Sequence, residues 1–411
     1  MCPETVTARP KLLVLTSTYP RWIGDHEPGF VHELSRRLTE KFEVRVLTPH
    51  HAGSNIKEKW ERVSVMRYRY APEKLETLIY NGGIVTNLRR KPLKAFLIPM
   101  FIVAQLLATW RQVRKWRPDV VHAHWLIPQG LVAAMLSLVH RDFPPFLVTS
   151  HGTDLHALKF WPMPSLKRFV ARRAAGLAVV SSSMLESLEH QGIPRESVHV
   201  EPMGVDLQTR FVPDPSVERS NNEILFVGRF VETKGLRYLL EALPSIIQAH
   251  PDAHLTIAGY GPEQPNLEAQ AAGLGIADRV KFLGAVPQDQ LPDLYRRAAV
   301  FVAPFVQARG GDQEGLGLVT LEAIGCGCPA IVSDLPAVCD VVDNPDMRVT
   351  PGDPEAIAAA VCQLFQSSPE NRNAQAAELR SRVFKRFDWS HRANAYAGIL
   401  LDLSKPLKTS G

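Results

Sequence analysis

The feature that most constrains the fold of this chain is a double series of short apolar runs. Seven lie in the first half, from KLLVLTSTY at Lys11 to SVHVEPM at Ser197, and six in the second, from EILFVGRF at Glu223 to MRVT at Met347. They are bounded by Gly, Pro, His and Ser and separated by amphipathic segments of helix length. This pattern is typical of parallel strands buried on both faces. It predicts two doubly wound α/β domains.

The boundary between the domains is predicted in the polar segment Val205–Asn222, which contains two prolines and little apolar periodicity. A length of 411 residues also favours two domains over one. In such proteins a ligand binds outside the carboxyl ends of the strands, and with two domains in the cleft between them. Each candidate motif below follows a strand.

Cysteine content and the first residues indicate a cytoplasmic protein. The five cysteines are odd in number and lack framework spacing, which favours free thiols in a reducing compartment: Cys2, Cys326, Cys328, Cys339 and Cys362. The segment LLVL near the start is better interpreted as a first strand than as part of an export signal.

Charge is distributed unevenly along the chain. Residues 1–205 carry 28 basic and 17 acidic side chains, whereas residues 206–411 carry 19 and 25. The basic first half is expected to face an anionic partner, and charge alone does not choose between a membrane surface, a nucleic acid and a phosphorylated substrate.

The segment GRFVETKG, Gly228–Gly235, is a candidate diphosphate site. It closes a predicted strand and leads into a helix that Glu232 or Thr233 could cap, so Arg229 and Lys234 would lie near a strand end and a helix N-terminus. Arg can hold phosphate oxygens in a bidentate manner, and Lys adds a mobile point charge. Taken alone, an Arg and a Lys at this spacing are more often two solvated cations at a turn.

The segment QEGLGLVTLEAIGCGCP, Gln313–Pro329, provides acceptor groups. A glycine-rich loop enters a helix predicted to begin near Gly317 or Leu318, and its backbone amides could approach an anion. Glu314 and Glu322 would repel phosphate but can accept hydrogen bonds from sugar or ribose hydroxyls. Both segments together therefore indicate a nucleotide or nucleotide sugar. Glu322 alone could simply stabilise the first turn of its helix.

Two other groups of residues contain potential metal ligands, but their spacing does not favour a metal site. Cys326 and Cys328 have poor ligand spacing and are interpreted as buried free thiols. Four histidines near strand ends lack an acidic partner in register and are interpreted as ordinary strand-end residues: His122, His124, His151 and His156. No Gly-x-Gly-x-x-Gly follows the first strand, which argues against a dinucleotide dehydrogenase.

These motifs together resemble the retaining glycosyltransferases of family 4. The resemblance rests on GRFVETKG, on the spacing of Glu314 and Glu322, and on EAIGCGCPAIVSD, and it extends through TSTYPRWIGDHEPGFVHEL, HAHW, SHGTD, GYGPE, GAVPQDQLPDLYRRA and FDWSHRANAYAGIL. It implies the GT-B fold, in which two Rossmann-like domains face each other across a cleft. Residues 1–205 would form the acceptor-side domain and 206–385 the donor domain, and 386–411 a C-terminal helix and tail packed on the first domain. IGCG departs from the usual family pattern, with consequences expected only for packing.

The resemblance also implies roles for individual residues. Arg229 and Lys234 would bind the donor diphosphate, Glu322 the ribose and Glu314 the transferred sugar. The backbone of Val286 would frame the base, His151 would lie beside the sugar and the acceptor, and Gly29 would let a loop approach the phosphates. Backbone amides would complete the donor contacts, at Gly315, Leu316, Gly317, Leu318 and Val319. Those expected to act in catalysis are His151, Glu314, Arg229 and Lys234.

The implied reaction moves a hexose from a nucleotide-diphosphate sugar to a hydroxyl acceptor with retention. The acceptor would be a lipid-linked or polysaccharide intermediate of envelope or exopolysaccharide biosynthesis. Cations and helix amides would stabilise the leaving diphosphate, so neither metal nor other cofactor is expected, nor a nucleic acid partner. Two alternatives stay open, a GT-B nucleotide-sugar epimerase and a non-catalytic sugar-binding protein.

The most apolar stretch, LKAFLIPMFIVAQLLATW at Leu93–Trp110, lies between two groups of basic residues within 89–117. It is short for a spanning helix, which needs about 20 apolar residues, and Pro99 and Gln105 weaken that interpretation further. Either it is a buried helix of the first domain, or residues 89–117 rest on an anionic membrane surface. The second possibility implies a protein peripheral on the inner face of the cytoplasmic membrane.

Overall fold

The computed structural model describes residues 8–25, 27, 29–80, 83–158 and 160–405. Cys2 and the end of the predicted C-terminal tail, 406–411, lie outside these residues. Each of the thirteen predicted apolar runs contains a strand. The strands form two sheets, one in each half of the chain.

The first sheet has eight strands over the described residues, in the spatial order β3-β4-β2-β1-β5-β6-β7-β8. In chain order these are β1 Lys11–Leu15, β2 Glu43–Pro49, β3 Lys57–Trp60, β4 Val63–Tyr68, β5 Val120–His124, β6 Phe146–Ser150, β7 Gly176–Val179 and β8 Val198–Val200. All neighbours are parallel except β3, which pairs antiparallel with β4 at the edge. The sequence pattern missed β3, because KEKW is short and charged, as edge strands often are.

The second sheet has six parallel strands within the described part of the chain, ordered β11-β10-β9-β12-β13-β14. They are β9 Glu223–Val227, β10 His254–Ala258, β11 Val280–Gly284, β12 Val300–Ala303, β13 Ala330–Ser333 and β14 Arg348–Val349. The direction of strand succession reverses between β9 and β12, and likewise between β1 and β5 in the first sheet. Ligands of doubly wound sheets bind at such switch points.

Helices cover the sheets and connect the strands. They are α1 Phe30–Leu38, α2 Gly83–Arg90, α3 Leu97–Trp116, α4 Leu131–Val139, α5 Thr153–His156, α6 Met163–Arg173, α7 Ser182–Glu189, α8 Leu236–Ala249, α9 Gln264–Gly273, α10 Leu291–Arg297, α11 Leu318–Gly325, α12 Pro336–Cys339, α13 Pro354–Gln366, α14 Pro369–Phe387 and α15 Trp389–Ser404. The final helix α15 packs on the first domain, where Tyr396 Oη donates to the Glu201 carbonyl at 2.6 Å. The predicted two-domain GT-B fold with a returning C-terminal helix is confirmed.

Helix α3 is oriented differently from an ordinary surface helix. Its buried positions include the polar side chains of Gln105 and Thr109. Its outer face is apolar, with exposed fractions of 47% for Met100, 53% for Val103 and 47% for Leu107. The interpretation of this segment as a buried helix therefore holds for one face only, which also buries Phe101 and Val113. Among the described residues, Pro92–Trp116 is also the one helical stretch long and apolar enough to cross a membrane, judged by length and composition only.

Candidate active site

A cleft of about 600 Å³ lies between the carboxyl ends of the two sheets. Its size falls in the range of about 300–1,000 Å³ that is typical of small-molecule sites. The cleft brings together every residue that the sequence predicted for the site: Gly29, His151, Arg229, Lys234, Val286, Glu314, Gly315, Leu316, Gly317, Leu318, Val319 and Glu322. Their individual roles stay predictions.

The cationic side of the cleft follows strand β9. Arg229 lies two residues after the strand, and Lys234 ends the short 3-10 turn Glu232–Lys234. The expected capping of α8 by Glu232 or Thr233 is wrong, because Gly235 at φ 65° is the N-cap and no side chain caps the helix. A Cβ at Gly235 would lie 1.7 Å from the Pro304 carbonyl oxygen, so this close approach requires glycine.

Lys234 forms an ion pair with Glu314, which lies 80 residues later in the chain. The Lys234 Nζ to Glu314 Oε2 distance is 2.5 Å, and the two side chains are only 14% and 18% exposed. The other carboxylate oxygen of Glu314 accepts from the Gly317 amide at 3.2 Å. Burial alone would raise the pKa of Glu314, but the charge and hydrogen bond of Lys234 hold it below the ordinary value. Glu314 is therefore an ionised acceptor at neutral pH.

Glu322 lies in a different environment, one turn inside α11. It is 5% exposed, and Tyr295 Oη donates to its Oε2 at 3.0 Å. Burial raises the pKa of Glu322 to about 7, although the Tyr295 hydrogen bond partly opposes this shift. Among the described residues Glu322 forms no ion pair, and its carboxyl changes its charge near neutral pH.

The loop between the two glutamates depends on its glycines. Gly317 has φ 77° and serves as the N-cap of α11, where a Cβ would approach the Phe305 ring to 3.0 Å. At Gly315 a Cβ would lie 2.4 Å from the carbonyl oxygen of His151 in the first domain. The glycine loop of the donor domain therefore touches the loop after β6 directly.

His151 is held in this contact region by neighbouring rings. Its Nε2 is 2.9 Å from Nδ1 of His124, and its ring lies 5.0 Å from Phe30 and 4.9 Å from Trp125 between centroids. Burial lowers the pKa of His151 to about 3, so the imidazole is neutral at physiological pH. Asp154 orders the same loop by accepting from the Leu126 amide at 2.7 Å.

Three further residues around Glu322 were not predicted from the sequence. Gln288 Nε2 lies 3.5 Å from Glu322 Oε1, and Arg210 Nη1 lies 3.5 Å from Gln288 Oε1. Tyr295 is fully buried beneath Glu322. Gln288 could have been suspected because it follows Val286 at a strand end. No sequence motif identified Arg210, because it lies in the polar segment predicted to be only the domain boundary.

The alternative metal sites find no support within the described residues. In that part of the chain no group of three or more His, Cys, Asp or Glu side chains is arranged to hold a metal ion. Cys326 and Cys328 are buried free thiols. Burial raises the pKa of Cys328 to about 11, so this thiol stays protonated at neutral pH. The absence of a metal requirement in the reaction stays a prediction.

Comparison with known proteins matches both halves of the chain. Residues 30–209 match the family described as Glycosyltransferase Family 4, and residues 221–367 match Glycosyl transferases group 1. The chain is 31% identical to glycogen synthase of Mycobacterium tuberculosis, over 70% of each protein. It is also 31% identical to phosphatidyl-myo-inositol mannosyltransferase of Mycolicibacterium smegmatis, over 69% of this chain and 72% of that protein. Sucrose-phosphate synthase from Thermosynechococcus elongatus shares the fold, with a TM-score of 0.77, 21% identity and coverage of 96% and 99%.

Proposed function

Because this chain belongs to the family 4, group 1 glycosyltransferases and uses a nucleotide-sugar donor, we propose that it transfers a hexose with retention of the anomeric configuration. The acceptor is a hydroxyl group of a lipid-linked or polysaccharide intermediate of envelope or exopolysaccharide biosynthesis. The observation that carries the proposal is the ion pair between Lys234 and Glu314, which joins the predicted phosphate-binding and sugar-binding groups in one cleft.

Donor binding would exchange this ion pair for ligand contacts. The diphosphate takes over Lys234, with Arg229 beside it in the cleft. Glu314 then accepts from hydroxyls of the transferred sugar, and Glu322 accepts from the ribose. In the ligand-free protein Lys234 and Glu314 neutralise each other, so neither charge is left uncompensated in a partly buried position.

Retention is proposed because both glutamates have other tasks. A two-carboxylate mechanism needs one carboxylate as a nucleophile and another group as the acid. Here Glu314 and Glu322 accept hydroxyl hydrogen bonds, whereas Arg229 and Lys234 stabilise the charge that develops on the leaving diphosphate. The acceptor hydroxyl attacks the same face of the sugar that the diphosphate leaves, and the departing phosphate oxygen takes the hydroxyl proton. Neutral His151 positions the reacting sugar.

A thermal-shift screen of nucleoside diphosphates and nucleotide sugars tests the donor site. A ligand at 100 times its dissociation constant should stabilise the protein by about 2.7 kcal/mol. Lys234→Ala and Glu322→Ala should remove most of this effect, and Lys385→Ala, an exposed lysine of α14 outside the cleft, should retain it. If no nucleotide shifts the melting temperature of the wild-type protein, the donor-site assignment is wrong.

Product analysis then tests the stereochemistry and the alternatives. Proton NMR of the product formed from an α-linked donor should show an α-linked product. An inverted anomer would contradict the mechanism. Donor rearrangement without any acceptor would indicate an epimerase, and donor binding without turnover would indicate a sugar-binding protein.

We further propose that the protein acts in the cytoplasm, with residues 89–117 resting on the inner face of the membrane. Exposed cations lie at both ends of this segment, with Arg90 and Lys91 at one end and Arg114 and Lys115 at the other. They accompany the exposed apolar face of α3, as in helices that lie on anionic membranes. The name of the mycobacterial mannosyltransferase also gives that relative a phosphatidylinositol acceptor. If the protein fails to sediment with anionic liposomes at low salt, this proposal is wrong.

A further inference from the structure

Beyond the donor groups, the cleft has an apolar region that is lined by side chains of α2, α3 and the segment leading into α6. We call this region the apolar annex and define it by six side chains that line the cleft: Ile84, Leu88, Ile98, Ile102, Phe160 and Met163. Ile84 and Leu88 are four residues apart on α2, as are Ile98 and Ile102 on α3. Each pair therefore projects from one face of its helix.

The annex has no task in donor binding as proposed above. The diphosphate, ribose and sugar have partners among the charged groups and amides of the donor domain. The two α2 residues and the two α3 residues are only partly buried, and Phe160 is 60% exposed. Apolar side chains that stay wet in a concave site gain free energy when a ligand covers them with hydrocarbon.

The surface outside the annex has the same chemical character. The turn Pro92–Phe96 between α2 and α3 carries Leu93 and Phe96, which are 79% and 78% exposed, and Trp161 beside Phe160 is 85% exposed. Apolar character therefore continues from the annex to the exposed face of α3, and the flanking cations Arg90 and Lys91 complement anionic headgroups.

We propose that the annex binds the hydrocarbon chain of a lipid-linked acceptor, whose hydroxyl-bearing head lies beside His151 and Glu314. This inference rests on the proposed function and makes its acceptor more specific. A polysaccharide acceptor would need hydroxyl partners along its path, whereas the annex presents mainly alkyl groups. The chain enters from the membrane side and delivers the head to the donor, so the lipid never leaves the apolar surface completely.

The test uses n-alkyl β-D-glucosides from methyl to octyl, kept below their critical micelle concentrations. Isothermal titration calorimetry measures their affinity for the full chain saturated with UDP or GDP. Each added methylene that enters the annex should raise the affinity about fourfold, the factor expected for burying one CH₂ group. Ile102→Ser and Phe160→Ser should reduce this increment. Phe160→Ser changes an exposed residue and so serves as the variant that folds if Ile102→Ser does not.

Leu274→Ser is the matched control, because Leu274 is 39% exposed and lies outside the cleft lining. Its increment per methylene should equal that of the wild-type protein. The inference is overturned if affinity does not depend on chain length, or if the control loses as much as the annex variants. It is also overturned if Ile102→Ser and Phe160→Ser instead abolish a dimer seen by analytical ultracentrifugation. If no nucleotide shifts the melting temperature, the titrations are made on the protein alone, and a chain-length effect there would contradict the donor assignment but support the annex.

Discussion

Replacement of Glu322 by Gln should stabilise the ligand-free protein while weakening its donor site. Glu322 is 5% exposed, and burial raises its pKa to about 7, against an ordinary value of 4.5. Gln has nearly the same shape and can still accept from Tyr295, but it has no charge to desolvate. Donor sites commonly hold such groups at a cost to stability.

The sign and size of the effect follow from the two pKa values. The unfolded chain loses the Glu322 proton near pH 4.5, but the folded protein holds it until about pH 7. The stabilising contribution of the protonated form is therefore complete below pH 4.5 and is lost as pH rises through 7. With 1.36 kcal/mol for each tenfold change in proton affinity, the loss amounts to about 3 kcal/mol at pH 8 and under about 1 kcal/mol at pH 5. The Glu322→Gln variant avoids this loss of stability, because Gln carries no charge.

Urea unfolding at pH 5 and pH 8 measures the effect. The midpoint of Glu322→Gln should exceed that of the wild-type protein clearly at pH 8 and only slightly at pH 5, with equal m-values. Nucleoside diphosphate affinity of the variant should fall at least about tenfold at pH 8, since a charged acceptor is lost. An equal stability difference at both pH values would refute the reasoning about burial, and an unchanged nucleotide affinity would refute the ribose role.

Three further predictions concern the glycine loop and its first glutamate. Glu314→Gln should destabilise the protein at pH 8 and less so at pH 3, as measured by urea unfolding. Lys234 holds the pKa of Glu314 low, so the contribution of the ionised carboxylate to stability is lost as pH falls. Gly317→Ala should cost about 1–2 kcal/mol because its φ is 77°, and calorimetry would contradict this if the melting temperature stayed unchanged. Gly315→Ala should hold the two domains apart, which small-angle X-ray scattering would register as a larger radius of gyration; an unchanged radius would refute the close contact.

Much of the fold was predictable because burial leaves a local pattern. A parallel strand covered on both faces needs a continuous apolar run, and the inner strands of both sheets are rich in such runs, whereas the edge strands β3, β8 and β11 are partly exposed and include charged or polar residues. The motifs around Arg229 and Glu314 were also visible locally, because strand ends in doubly wound sheets converge on one cleft. Gln288 could have been predicted in the same way, because it also follows a strand of the second sheet.

The sequence by itself determined the two parallel sheets, their cleft and the candidate residues in it. Only the tertiary structure decided that Lys234 pairs with Glu314, that Tyr295 lies beneath Glu322, and that α3 leaves one apolar face exposed. Those outcomes depend on contacts between segments far apart in the chain. The local periodicity of apolar residues carries no information about such contacts. The apolar composition of a helix predicts that its side chains will be buried against other apolar groups. The packing of the surrounding elements decides whether those groups belong to the protein core or to a partner outside the protein.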